Sequence, residues 1–380
     1  MRKTKVYING RFLTQSITGV QRYAFELIKS LDRMIDERDP ALSPYEWIVL
    51  APRGEIHDPG LQHIEIRQVG RFSGHVWEQL VLPFHTAGGF LLNLCNTGPL
   101  LKRNQGVTLH DTAVYVVPES YSAAFKLWYK VLFRILGVTS KVILTCSENS
   151  KRQLMEFCKI KDSKIHVIYH GKEHILRTHR DPDFLERKGL NKPFVLAVSS
   201  MSPNKNFRSI VKAIEIMGQP GFDIVIAGGT NPKVFKTPEA QLTDNVKYMG
   251  YVEDEELRTL YNEAAGFVFP SFYEGFGFPP LEAMACGCPV ISSNAASLPE
   301  VCGDAVLYCD PNSPQDIADK IQLLMSDSML REQLSRQGLK QAQSFSWEKC
   351  TRETLAVLSR YTSAKAVAAE NTSAGVMAGK

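Results

Sequence analysis

Apolar residues along this chain fall into short runs, separated by longer stretches in which they recur every three or four positions. Val6–Asn9, Trp47–Leu50, Leu91–Leu94, Gly106–Leu109 and Lys141–Thr145 are such runs. Without polar alternation they predict strands buried on both faces, as in a parallel sheet. Between the first two, a glycine-bearing loop, Thr18-Gly19-Val20, leads into Gln21–Leu31, whose apolar residues keep helical spacing. A strand and glycine turn at Ile165–Gly171 close this series, and the polar stretch Lys172–Lys192 reads as a linker. The alternation then restarts with strands Phe194–Ser199, Phe222–Ala227, Val246–Met249, Phe267–Phe269 and one opening at Pro289–Ile291. Helices are predicted over Asn206–Met217 and Asp254–Ala265. The pattern predicts an α/β protein with two doubly wound halves, residues 1–172 and 173–345, and a terminal helix over 346–361. The Ala/Ser/Gly-rich stretch 362–380 carries no core signal and is expected to be disordered.

A length of 380 residues is enough for two cores of ordinary size. Eight cysteines are too few for a disulfide scaffold, and Cys286 and Cys288 are too close for a structural bridge and lack a second pair for zinc. With no leader-like apolar segment at Met1-Arg-Lys-Thr-Lys, a cytoplasmic chain is expected. No apolar run reaches the length of a membrane span. The net charge of +4 is unevenly divided. Residues 1–180 hold 25 Lys and Arg against 16 Asp and Glu, a balance of +9, while the remainder holds 19 against 24. The first half is therefore expected to meet something anionic. Zinc-finger spacing, RNP-like aromatics and basic runs are missing, so nucleic acid is not the expected partner. A membrane surface fits better. Over residues 120–136, Phe125, Trp128, Leu132 and Ile135 share one helix face, with Lys126, Lys130 and Arg134 beside it. Two readings stand for this stretch: a helix lying in the interface at the inner face of the cytoplasmic membrane, or one covering the sheet with its lysines in water.

The most informative stretch runs from Val268 to Ile291. An apolar strand end is followed by Glu274-Gly275-Phe276-Gly277, then by Pro279 and Pro280 where a helix opens, with Glu282 in its first turn. A strand, a glycine loop and a helix start together form a ready anion site. It is not the dinucleotide fingerprint, since Pro280 stands where the third glycine belongs. A second such placement is Val198 to Asn206, carrying Ser200, Asn204 and Lys205 between a strand and a helix. In the first half, loops after strand ends put Gly19, Asn96-Thr97-Gly98, His110-Asp111 and Ser147 along one edge. Arg22 lies just inside a helix start, where a cation is mildly disfavoured and hints at an anionic partner.

The segment E-G-F-G-F-P-P-L-E-A-M-A-C-G-C-P-V-I, residues 274–291, resembles the E-x7-E element of glycosyltransferase family 4, the retaining nucleotide-sugar glycosyltransferases. That resemblance implies a GT-B fold, two Rossmann-like domains facing each other across a cleft. The first would bind the acceptor and the second the donor, with the terminal helix crossing back to the first domain. It implies that Lys205 binds the diphosphate, Glu274 the sugar hydroxyls and Glu282 the ribose hydroxyls, while His110 contacts the donor sugar near the reacting carbon. His110, Glu274 and Lys205 are then the catalytic group. Gly19, Ser200, Asn204, Gly275, Phe276 and Gly277 join the donor site, and Arg22, Asp111 and Ser147 lie on the acceptor side. Ser297–Glu300 resembles the family's following segment, in a supporting role. Front-face attack is implied, without cofactor or metal; the only Asp-x-Asp, Asp181-Pro-Asp183, lies in the linker. One departure stands out: Ser200 occupies the place where the family often carries an arginine, a loss that Arg22 is a candidate to make good. The opening Thr18–Ala24 looks most like bacterial O-antigen and exopolysaccharide mannosyl- or rhamnosyltransferases. The implied reaction is sugar transfer from a nucleotide-diphosphate sugar, GDP-mannose ahead of a UDP-sugar, to a lipid-linked or oligosaccharide acceptor in surface polysaccharide (lipopolysaccharide) synthesis. A nucleotide-sugar epimerase on the same fold and a non-catalytic sugar-nucleotide-binding protein remain as alternatives.

Overall fold

The computed structural model describes residues 3–198, 202–228 and 245–362. The expected disordered stretch lies outside them from residue 363 onward. The chain divides into two compact units. One draws on residues up to Thr112, on Ala123–His170 and on the stretch from Trp347, the other on Ala113–Ser122 and Gly171–Ser346.

The first unit is built on seven parallel strands. They are β1 (Thr4–Asn9), β2 (Tyr45–Ala51), β3 (Glu65–Gln68), β4 (Phe90–Asn93), β5 (Gln105–Thr108), β6 (Val142–Thr145) and β7 (Ile165–Val167). Their order is β3-β2-β1-β4-β5-β6-β7. Val6 of β1 stands opposite Trp47 of β2 on one side and Phe90 of β4 on the other. The apolar runs are buried as their lack of alternation predicts. The edge strand β3 was not legible in the sequence: it holds one apolar residue, Ile66, and an exposed Glu65–Arg67 ion pair. Charges of this kind keep an edge from pairing with other chains.

Gly19 opens the helix Gly19–Asp36 rather than ending the loop before it. Tyr23, Leu27, Ile28 and Leu31 form the buried stripe of that helix. The helix Trp347–Thr362 packs along it, and Ser30 Oγ donates to the Trp347 carbonyl at 3.4 Å. In the helix Ala123–Thr139 the face expected to be the apolar one is turned into the protein. Leu132 is fully buried and Trp128 and Ile135 are partly covered. Phe125, in the first turn, stays exposed, as do Leu127, Val131 and Val138 outside that face. Among the described residues no helix is long and apolar enough to cross a membrane.

The second unit holds six parallel strands: β8 (Phe194–Val198), β9 (Asp223–Ala227), β10 (Val246–Gly250), β11 (Gly266–Phe269), β12 (Val290–Ser293) and β13 (Leu307–Cys309). They are ordered β10-β9-β8-β11-β12-β13. Val195, Ile224, Ile226, Val268 and Ile291 from the sheet meet Ile210, Ile317, Ile321 and Leu324 from the helices on one face. In each unit the strand order reverses beside the first strand, between β1 and β4 and between β8 and β11. Adjacent loops diverge at such a point and leave a crevice for a ligand.

Candidate functional site

In the second unit two loops meet at the β8/β11 reversal. The turn Pro203–Lys205 follows β8, and Pro270–Gly277 follows β11. Backbone and side-chain bonds join them. Phe272 N–H donates to the Asn204 carbonyl at 2.8 Å, Ser271 Oγ lies 2.9 Å from the same oxygen, and Asn204 Nδ2 donates to the Tyr273 carbonyl at 3.2 Å. Asn206 is buried in a left-handed conformation, and its amide reaches the carbonyls of Pro270 and Pro311 at 2.9 and 2.6 Å. A rigid seat results for two charged groups. Lys205 Nζ lies 2.6 and 2.8 Å from the two carboxylate oxygens of Glu274, and Ser271 Oγ donates to one of them at 2.7 Å.

The loop beyond Glu274 is fixed by Ser297, whose hydroxyl lies 2.9 Å from the carbonyls of both Glu274 and Phe276. Gly277 caps the helix Phe278–Ala285 with φ of 112°, a conformation that disfavours any side chain. A Cβ there would also come within 2.8 Å of Leu298 Cδ2. Pro279 and Pro280 bring no N–H to the first turn, so this helix start offers an anion fewer donors than an ordinary one. Charge on Lys205 therefore carries more of that task.

Glu282 is held separately. His174 Nε2 donates to one carboxylate oxygen at 2.7 Å, and the Tyr261 hydroxyl donates to the other at 3.2 Å. Burial, with the neighbouring Glu282 charge, pushes the Tyr261 hydroxyl well above its ordinary pKa, so it stays a donor. His174 stands edge-on to Phe278 at 5.6 Å. Sequence reasoning missed both partners. His174 sits in the stretch read as a linker, and Tyr261 reads as one more core position on an ordinary helix.

In the first unit His110 follows β5 and is buried. Its Nε2 donates to the Leu94 carbonyl at 2.9 Å, so in the neutral ring Nδ1 is the acceptor and takes the Nε2–H of His170 at 3.3 Å. Burial lowers the His110 pKa to about 4, the bond to Leu94 opposing this in part. The backbone N–H of His110 donates to Asn96 Oδ1 at 2.7 Å, and its carbonyl accepts from Cys146 Sγ at 2.9 Å. Tyr23 meets the ring edge-on at 4.8 Å, and His170 stacks on Trp347 at 6.0 Å. His110, Cys146 and His170 bring three metal-ligand atoms within 4.8 Å of one another. Each has a hydrogen bond that accounts for its position. Ser147 serves as the N-cap of the helix Glu148–Cys158, accepting from Ser150 N–H at 3.0 Å. Gly19 is exposed, while Arg22 and Asp111 are half-buried. Ser200 lies outside the described residues.

At the β1/β4 reversal lies a buried polar network, of which the sequence reading singled out Thr97 alone. Glu78 accepts from Asn9 Nδ2 and Thr97 Oγ1, both at 2.7 Å, and faces Arg11 Nε at 3.4 Å and His75 Nδ1 at 3.3 Å. Arg11 Nη2 donates to Thr97 at 2.9 Å. Asn9 continues to Asn93, and Asn93 to Gln105. Burial would raise the Glu78 pKa, but His75, Arg11, Thr97 and Asn9 together bring it below the ordinary value. The available signal was Asn9 and Asn93, polar residues ending two apolar strands.

Comparison with known proteins places this architecture. Residues 182–341, which hold the Lys205–Glu274 seat and Glu282, match the family model for glycosyl transferases group 1. The O-antigen chain mannosyltransferase B of Escherichia coli is 34% identical over 261 residues, 65% of this chain and 68% of that protein. The O-antigen chain mannosyltransferase RfbU of Salmonella typhimurium is 32% identical over 220 residues, 57% of this chain and 59% of that protein. Among solved structures, Anabaena HepE in complex with UDP and glucose aligns with a TM-score of 0.71 over 94% of this chain and 100% of that one, at 16% identity. The fold is the two-domain GT-B fold, and the chain is a glycosyltransferase belonging to the group 1 family.

Proposed function

We propose that this glycosyltransferase takes a hexose from a nucleotide-diphosphate donor, GDP-mannose ahead of a UDP-sugar, and adds it with retention to a lipid-linked or oligosaccharide acceptor of a bacterial surface polysaccharide. The observation that carries the reading is the Lys205–Glu274 pair at the β8/β11 reversal. Similarity to two O-antigen chain mannosyltransferases supports mannose and polysaccharide synthesis. The UDP and glucose held by HepE support a nucleotide-sugar donor.

In this reading the second unit binds the donor and the first the acceptor. The departing diphosphate brings negative charge that a preorganised cation can stabilise, and Lys205 supplies it without a metal. As the lysine turns to the phosphates, Glu274 is released to accept from sugar hydroxyls. A carboxylate accepts two such bonds, each strengthened by its charge. Glu282, held by His174 and Tyr261, accepts from the ribose hydroxyls. His110 is neutral near pH 7 and acts in positioning the donor sugar. The leaving phosphate takes the acceptor proton on the same face. The reaction is placed in the cytoplasm, at the inner face of the membrane.

The test is nucleotide release by the purified chain with GDP-mannose or UDP-sugars and an oligosaccharide acceptor, in the presence of EDTA. Release that depends on acceptor, with the donor's anomeric configuration kept in the product by NMR, is expected. Donor epimerisation without acceptor, or binding without turnover across the donor panel, would overturn the reading.

A further inference from the structure

Three adjacent strands of the first sheet each deliver one ligating side chain to the same edge. His110 stands two residues beyond β5, Cys146 one beyond β6 and His170 three beyond β7. The strands are parallel neighbours in the order β5-β6-β7, so their carboxyl ends lie side by side. The ladder runs on past those ends, with Leu109 N–H donating to the Leu144 carbonyl and Ile168 N–H to the Thr145 carbonyl. All three side chains are buried, none more than 5% exposed.

His110 Nδ1 and His170 Nε2 lie 3.3 Å apart. Two nitrogens bound to one ion at about 2 Å stand roughly 3.3–3.5 Å from each other, so the rings are already at ligand spacing. The Cys146 sulfur lies within 4.8 Å of the ring nitrogens. Bringing it to bonding distance takes about 1 Å, within reach of a turn about its Cα–Cβ bond. The other ring nitrogen of His110 donates to the Leu94 carbonyl at 2.9 Å, the kind of outer bond that orients a metal-ligating histidine. Tyr23 lies against both rings, at 4.8 and 4.5 Å, and Trp347 stacks on His170 at 6.0 Å. These aromatics keep water from the cluster.

Donor set and burial select the ion. A thiolate with two imidazoles suits a soft closed-shell cation, Cu+ or Zn2+. Cu+ with one thiolate and two neutral imidazoles has no net charge, whereas Zn2+ would leave a positive charge uncompensated in a dry interior. Zn2+ also asks for a fourth ligand, while Cu+ accepts three. We propose that His110, Cys146 and His170 form a Cu+ site. On binding, the thiol proton leaves to solvent and the His170 proton moves from Nε2 to Nδ1. The ion then takes the place between the rings that the hydrogen bond holds. It is no part of the sugar transfer. Because His110 positions the donor sugar in the proposed reaction, filling the site stops transfer, and this consequence alone rests on that reading.

Anaerobic titration of the full chain with Cu+ against the coloured chelator bicinchoninate tests the site. One ion per chain is expected, and X-ray absorption at the copper edge should show one sulfur and two nitrogen neighbours. Cys146→Ser keeps a donor to the His110 carbonyl without the soft ligand, and should weaken binding by about 100-fold or more. Its melting temperature and its transfer rate without copper should match those of the unaltered chain, and its transfer should survive copper. No uptake in competition with the chelator, equal binding by Cys146→Ser, or a two-sulfur site such as Cys286 with Cys288 would each overturn the proposal. So would uptake of Zn2+ in preference to Cu+. A chain that binds Cu+ and transfers sugar regardless keeps the site and takes His110 out of the reaction. One that binds Cu+ and never transfers sugar sinks the reaction alone.

Discussion

Lys205 and Glu274, 69 residues apart in sequence, form a two-pronged ion pair at 2.6 and 2.8 Å across the two loops of the β8/β11 reversal. Each charge is thereby balanced by the other in the absence of a ligand. A diphosphate offers the lysine more negative charge than one carboxylate does, and a sugar offers the glutamate hydroxyl donors. Glu274→Gln keeps the shape and removes the charge, so transfer should fall about 100-fold. Lys205→Ala should cost a similar factor, and the double variant less than the product of the two. Steady-state nucleotide release measures all three; a fully active Glu274→Gln chain would reject the assignment.

Glu282 depends on two donors from elsewhere in the unit. Tyr261→Phe or His174→Ala removes one hydrogen bond to a charged group and should raise the donor KM about tenfold, with kcat nearly unchanged. An effect confined to kcat would place Glu282 at the chemical step instead.

His110 carries a pH signature. Its pKa of about 4 lies below the ordinary 6.5, so between those values the unfolded chain binds a proton that the native chain refuses. Stability from this residue is thus fully present above pH 6.5 and is lost as pH falls toward 4, on the order of 3 kcal/mol in all. Urea unfolding at pH 7 and pH 4.5 should show a smaller acid loss for His110→Asn than for the unaltered chain.

Removing Glu78 strands a buried guanidinium. Glu78→Ala should destabilise the first unit by about 3–5 kcal/mol, with Glu78→Gln milder because it keeps the acceptor for Asn9 and Thr97. Chemical denaturation followed by Trp fluorescence reads the difference.

Gly277→Ala combines an unfavourable φ with a contact to Leu298, and should cost roughly 1–3 kcal/mol. Transfer activity should drop as well, since the same loop carries Glu274. A melting temperature equal to that of the unaltered chain would show that the loop yields.

Sheet architecture was legible because strands buried on both faces leave apolar runs such as Trp47–Leu50. The edge strands β3 and β13 were not, β3 being mostly polar and β13 only three residues long. Glu274, Glu282 and Lys205 could be picked out from their places beside glycines, prolines and strand ends. Their partners could not, because Lys205–Glu274, His174–Glu282 and Asn9–Glu78 are each made by topology at separations of 69 residues or more. The helix Ala123–Thr139 shows a different limit. It is apolar on more than one face, and periodicity alone does not say which one the protein covers.

The helix Trp347–Thr362 has a consequence for synthesis. Its partner, Gly19–Asp36, leaves the ribosome more than 300 residues ahead of it, as the Ser30–Trp347 bond records. Until then the nascent first unit has its sheet but lacks the element that covers Tyr23, His170 and their neighbours. The Gly171–Ser346 portion is complete earlier. A chain stopped just short of Trp347 should therefore yield a folded second unit beside a first unit with an uncovered apolar flank, one that chaperones hold and proteases find.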